Sequence, residues 1–264
     1  MTGKVVESEE LKKIQLDILD SVTQFCEKRG LRYYLAYGTL LGAVRHKGYI
    51  PWDDDIDIHI PRPDYERFLR EYNDTESPYK VVSPESDNRY RVPFAKVHYP
   101  KSIVREFHFK PDLFGVYIDI FPLDGVESQA QAKECGELRR LMHVKNSVFL
   151  KSMPLARKLR LAVTKLMLLP LSLSKLLKRI KSTATRCVYD KSENVCSFMS
   201  RTAAREILPR TVFENYIMLP FEGKEYRAPK GYDSYLKANY GDYMQLPPEE
   251  KRISHHNSEA RWKE

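Results

Sequence analysis

Apolar positions in residues 8–29 fall at three- and four-residue spacing. Leu11, Ile14, Ile18, Val22 and Phe25 form one stripe, which predicts an amphipathic helix with Ser8 as its N-cap and Gly30 as its stop. The pattern then changes. Residues 31–38 read as a short strand, and 38–48 as a short helix that opens at Gly38 and ends at Gly48. Residues 55–60 alternate apolar and polar side chains, the period of a strand, and Pro61 and Pro63 close it. A helix capped by Asp64 follows, then strands at 80–83, 92–99 and 102–107, and a strong strand within 115–126 that Pro122 and Gly125 are expected to end. From 128 to 186 the period is helical, broken at Pro154 and Pro170. A hairpin at 219–229, a helix at 231–241 and an irregular tail complete the chain. The expectation is an α/β (α+β) fold: a mixed β-sheet core with flanking helices and a helical insertion.

The alternation at 55–60 carries chemistry. Ile56, Ile58 and Ile60 share one face, so Asp55, Asp57 and His59 share the other. The same parity recurs at 116–120, where Val116, Ile118 and Ile120 leave Asp119 alone on the opposite face. A carboxylate among β-formers needs a partner. If the two strands are neighbours, Asp55, Asp57 and Asp119 converge, and three carboxylates repel unless a cation sits among them. Oxygen-only ligands suit Mg²⁺ or Mn²⁺, whose usual work is to bridge phosphate oxygens. A calcium loop is disfavoured, because Ile58 stands where the sharp turn needs Gly and Asp64 where the loop needs Glu. A solvated turn suits Asp53 and Asp54, ahead of the strand, better than it suits Asp55 and Asp57. Upstream, Gly38 and Thr39 stand at a helix N-terminus, an anion-binding position. Arg45 and Lys47 bring positive charge nearby. Lys96 either serves the same phosphate site or caps a sheet edge.

Charge changes the picture in one place. The chain of 264 residues has a net charge of +8, yet residues 138–189 contain no Asp or Glu and thirteen Lys or Arg. The stretch at 145–181 mixes those cations with leucines. It can lie on an anionic membrane surface, or it can be an ordinary helical subdomain with a solvated basic face. The basic excess is local and no recognition module is visible, so nucleic acid is not an expected partner. No apolar run is long enough to span a bilayer, and the N-terminus lacks a signal-peptide pattern; a cytoplasmic protein is expected, with any membrane contact at the inner face.

The stretch "YGTLLGAVRHKGYIPWDDDIDI", together with "DIFPLD" and "YLKANYGDYMQLPPEEKR", resembles the LicD family of phosphocholine transferases, fukutin-related members of the nucleotidyltransferase-fold superfamily. The resemblance covers about 34–63, 115–125 and 229–252. It implies a nucleotidyltransferase-like core at 1–127, a basic helical insertion at 128–189 and a segment at 190–264 that returns to complete the cleft. It also implies that Gly38, Thr39, Asp55, Asp57 and Asp119 form the active site with Mg²⁺ or Mn²⁺, two ions in all. The implied reaction moves phosphocholine from CDP-choline to a hydroxyl of a cell-surface glycan precursor, lipid-linked and of the teichoic acid or lipopolysaccharide type, and releases CMP. Choline is a quaternary ammonium, which aromatic faces recognise. Trp52 is the first candidate, with Tyr49, Tyr232 and Tyr235 beside it and Tyr240 and Tyr243 further along. Other CDP-linked donors, and a non-catalytic nucleotide- or polyanion-binding protein, are the alternatives.

Overall fold

The computed structural model describes residues 3–106, 114–147, 154–199, 203–253 and 258–264. Its centre is a curled mixed sheet. Helix α1 (Ser8–Arg29) leads into β1 (Tyr34–Leu35), α2 (Tyr37–Arg45), β2 (Asp57–Pro61), α3 (Arg62–Glu71), β3 (Lys80–Val82), β4 (Ala95–His98), β5 (Ser102–Glu106) and β6 (Tyr117–Val126). The strand order is β1-β2-β6-β4-β3, with β2 and β6 parallel and the other neighbours antiparallel. Ile14, Ile18, Leu19 and Val22 of α1 are buried in the same cluster as Ile56, Ile58 and Ile60 and Ile118 and Ile120. That cluster is the alternating apolar face read from the sequence.

β6 runs through the proline that was expected to end it. Pro122 sits where β4 has already ended, at Ala95 opposite Ile120, and where β7 (Asn194–Cys196) has not begun, since Cys196 stands opposite Asp124. Its missing N–H therefore costs the ladder nothing, while β2 continues to pair on the other edge as far as Leu123. Just beyond, Asp124 is buried and takes a bidentate Arg62 guanidinium at 2.6 and 2.9 Å. This ion pair fixes the start of α3 to the end of β6.

Other boundaries shift for local reasons. α3 begins at Arg62, with Pro63 tolerated in its first turn, and Asp64 accepts from Arg32 rather than capping the helix. The segment at 128–186 forms α4 (Gln129–Asn146), α5 (Leu155–Met167) and α6 (Leu173–Ala184); residues 148–153 lie outside the described ones. α4 and α6 pack on each other in a second cluster with Cys135, Leu176, Ile180, Phe198 and Phe121. After β8 (Leu208–Pro209), β9 (Tyr216–Phe221) and β10 (Lys224–Pro229) form a hairpin with a two-residue turn. Glu222 and Gly223 both take positive φ there, as the turn that matches strand twist requires. Helix α7 (Tyr232–Tyr240) follows, and β11 (Ser258–Trp262), just beyond the tail read as irregular at 242–256, pairs with β5.

Candidate active site

The register across the sheet sets a row of charge. Asp57 on β2 stands opposite Asp119 on β6, and Asp119 stands opposite Lys96 on β4. All three have the same parity, so their side chains leave the sheet on one face. Lys96 Nζ donates to Asp119 Oδ1 at 2.6 Å and lies 3.5 Å from the centre of the Tyr117 ring. Lys96 is buried on an interior strand. The sheet-edge alternative for it is thus corrected: β4 has β3 on one side and β6 on the other.

Asp55 lies two residues before β2, not on it, although the ladder persists between the two elements through an Asp119 N–H bond to the Ile56 carbonyl. The negative charges of Asp55, Asp119 and Asp53 act on Asp57 from nearby. Burial first, and then those three charges, push the Asp57 carboxyl well above its usual range, with Lys96 opposing.

The start of α2 reaches this cluster. Thr39 is buried, and its hydroxyl oxygen accepts the Asp57 N–H at 2.8 Å. Gly38 lies directly under the Asp53 carboxylate, which occupies the space a Cβ would take. The acidic run is thus folded over the helix N-terminus. Tyr37, the first residue of α2, takes φ 42. That left-handed backbone costs a non-glycine residue about 1–2 kcal/mol. Strain of this kind concentrates at functional sites. The Tyr37 hydroxyl donates to buried Glu206 at 3.1 Å, and its ring packs on His59 and Phe121.

The remaining candidates divide. Gly38, Thr39, Asp55, Asp57, Asp119 and Lys96 are brought together. Arg45 instead donates to the Tyr243 carbonyl at 2.8 Å, which ties α2 to the segment after α7. Lys47 is exposed, with positive φ, and its carbonyl accepts from Glu222 in the hairpin turn. The Trp52 ring has the Arg252 guanidinium 5.7 Å from its centre. Tyr49 is buried, with its hydroxyl on Gln15, Lys12 over its ring and Phe221 against it. Tyr235 is buried, with its hydroxyl 3.0 Å from His59 Nε2. Tyr232 is half-buried against the main core.

Tyr49 feels the charges of Asp55 and Asp53, and Tyr240, named further along the chain, feels that of Asp57 as well. Tyr240 is 43% exposed at the rim, yet burial of its hydroxyl and the charges of Asp57, Asp53, Glu206 and Asp55 push its pKa up. Glu206 and Tyr37 were not singled out in the sequence. Tyr37 lies inside the recognised motif, but its left-handed backbone has no sequence mark; Glu206 lies in "AAREIL", which carries no signal at all. His255 and His256 fall outside the described residues.

Among the described residues, no three His, Cys, Asp or Glu side chains are gathered as a ready metal cage. The donor chemistry nonetheless fits a hard divalent cation. Asp57 is buried, the negative charges of Asp55, Asp119 and Asp53 act on it, and the opposing cation Lys96 is already bonded to Asp119.

Two acids thus face each other on adjacent parallel strands, beside a Gly-Thr helix start. Residues 30–156 match the LicD/FKTN/FKRP nucleotidyltransferase domain. Over 262 residues the chain is 30% identical to the lipopolysaccharide cholinephosphotransferase LicD of Haemophilus influenzae, covering 95% of this chain and 96% of that protein. A 34-residue stretch is 56% identical to the human ribitol 5-phosphate transferase FKRP, covering 13% of this chain and 7% of FKRP. A 47-residue stretch is 45% identical to an uncharacterised protein of Rickettsia prowazekii, 18% of each chain. The chain belongs to the LicD family.

Proposed function

We propose that this protein transfers phosphocholine from CDP-choline to a hydroxyl of a cell-surface glycan precursor, lipopolysaccharide or teichoic acid, and releases CMP. The row Asp57–Asp119–Lys96, in register across three strands beside Gly38-Thr39, is the observation that carries this, together with 30% identity to a lipopolysaccharide cholinephosphotransferase over nearly the whole chain. The acceptor oxygen attacks the phosphorus that bears choline. The bond from that phosphorus to the oxygen of CMP breaks, and CMP takes the electron pair. The hydroxyl proton passes to a carboxylate, for which Asp119 is the candidate.

Asp55, Asp57 and Asp119 would hold Mg²⁺ or Mn²⁺, two ions on the family pattern, and the metal would supply charge neutralisation at the phosphate oxygens. Around it, Thr39 fixes the backbone of Asp57, and Lys96 places a fixed positive charge against Asp119. Tyr240, 43% exposed, supplies an aromatic face for the choline ammonium. Trp52 and Tyr49 are less available, since each already has a cation over its ring.

The test is CMP release by the purified protein with Mg²⁺, compared across CDP-choline, CDP-ethanolamine, CDP-glycerol and CDP-ribitol. CDP-choline should be the best donor. A clear preference for CDP-ribitol would move the assignment to the phosphoribitol transfer named for FKRP, whose similarity is confined to one short stretch.

A further inference from the structure

α5 and α6 share a basic, leucine-rich composition, yet only one of them turns its leucines outward. On α6, Leu176 and Ile180 are buried against α4. On α5 no residue is buried. On its inner side Lys145 donates to the Leu168 carbonyl at 2.7 Å, and Lys165 donates to the Ser147 carbonyl. Leu161, Thr164 and Leu168 are the half-buried positions on that side. Leu155, Leu159, Val163 and Leu166 recur at helical spacing on the other side, and Met167 and Leu169 extend the stripe. Leu155 is 82% exposed and Leu166 is 66% exposed. A concentrated apolar stripe of this kind marks an interaction surface.

The charge around the stripe selects the partner. Arg157 and Arg160 lie exposed on the same helix, Lys175, Lys178 and Arg179 follow on α6, and no acidic residue occurs between 138 and 189. A second copy packed on this face would bring like charges together. A polyanion such as RNA would satisfy the cations and leave the leucines in water. We propose that α5 lies in the headgroup region of an anionic lipid bilayer, its leucine stripe inserted and its Lys and Arg side chains on phosphates. The membrane contact considered over 145–181 thereby narrows to α5 and the turn after it, while the apolar face of α6 belongs to the protein interior. A lipid-linked acceptor would be met at that surface.

Co-sedimentation of the full-length protein tests this with phosphatidylglycerol-containing vesicles and with pure phosphatidylcholine vesicles. No donor or acceptor is present, so the outcome is independent of the transferase assignment. The wild type should pellet with the anionic vesicles only. Leu159→Glu/Leu166→Glu should weaken binding at least about tenfold, because two inserted side chains become charged. Its thermal melt should match the wild type, since neither leucine is packed in the core. Vesicle binding unaffected by the double substitution would overturn the proposal, as would no binding to anionic vesicles. A dimer in solution that the same substitution dissociates would assign the face to a second copy and equally overturn it.

Discussion

Thr39→Val removes one oxygen atom and nearly conserves shape, so its consequences can be worked from a single contact. The Asp57 N–H donates to Thr39 Oγ1 at 2.8 Å, and Thr39 is 3% exposed. Valine leaves that N–H buried with no acceptor, which costs about 1–3 kcal/mol. For a chain of this size, each kcal/mol lowers Tm by roughly 2–4 °C, so the expected drop is about 2–12 °C. The same bond sets where the Asp57 carboxylate leaves the strand. A misplacement on the order of 1 Å at a reacting group can lower turnover by about 10²-fold. Thr39→Ser retains the oxygen and should recover most of the activity while losing only a methyl group. Scanning calorimetry and CMP-release kinetics on the three proteins are the assay. A Thr39→Val variant with wild-type Tm and lowered activity would mean that the hydroxyl serves a phosphate rather than Asp57. Wild-type values for both would refute the positioning role.

Further outcomes are expected from the charged interior. Asp57 has a raised pKa in the fold, so its contribution is present at low pH and is lost as pH rises through that value. Without divalent metal, Asp57→Asn should therefore be more resistant to urea than the wild type at pH 8, with the gap closing on addition of Mg²⁺; an equally or less stable variant would count against the crowded-carboxylate account. Burial pulls the His59 pKa from 6.5 down to about 3. Its stabilising contribution is complete above the unfolded value and falls away as pH drops through that window, by at most about 5 kcal/mol at 1.4 kcal/mol per pKa unit. Urea titrations between pH 7.5 and 4.5 should show this slope, and His59→Phe should flatten it. Asp124→Ala removes the bidentate partner of the buried Arg62 guanidinium, leaving it only the longer Glu66 contact among the ion pairs of the described residues, and should cost about 3 kcal/mol in urea unfolding. A loss under 1 kcal/mol would show that the pair does not fix α3 to β6.

Much of this arrangement was legible in the chain. Strand parity alone placed Asp57 and Asp119 on one face, because a period of two leaves no freedom once Ile56, Ile58 and Ile60 are committed to the core. What parity does not give is the partner across the sheet. That β6 lies between β2 and β4, and so sets Lys96 opposite Asp119, depends on strand order, a long-range property. Pro122 misled for a related reason: whether proline ends a strand depends on which neighbour its missing N–H would have faced. β11 was unreadable because "SEARW" has too few strand-forming residues to stand out, and it is held by pairing with β5. Among the aromatic candidates, Tyr49 and Trp52 stood out by nearness in sequence to the acids. Tyr49 and Trp52 are indeed near, but Lys12 and Arg252 reach their rings from remote parts of the chain. The helical period likewise cannot say whether a leucine stripe is covered, and α5 and α6 carry similar patterns with opposite outcomes.

The most direct measurement of the central claim is CMP release from CDP-choline by the wild type and by Asp57→Asn, in Mg²⁺ and after chelation. The wild type should turn over in Mg²⁺ and stop when the metal is removed. Asp57→Asn, with an unchanged circular dichroism spectrum, should be slower by about 10³-fold, the scale of losing a principal electrostatic contact to the transition state. Turnover by Asp57→Asn close to the wild-type rate would contradict the acid row as the reaction centre.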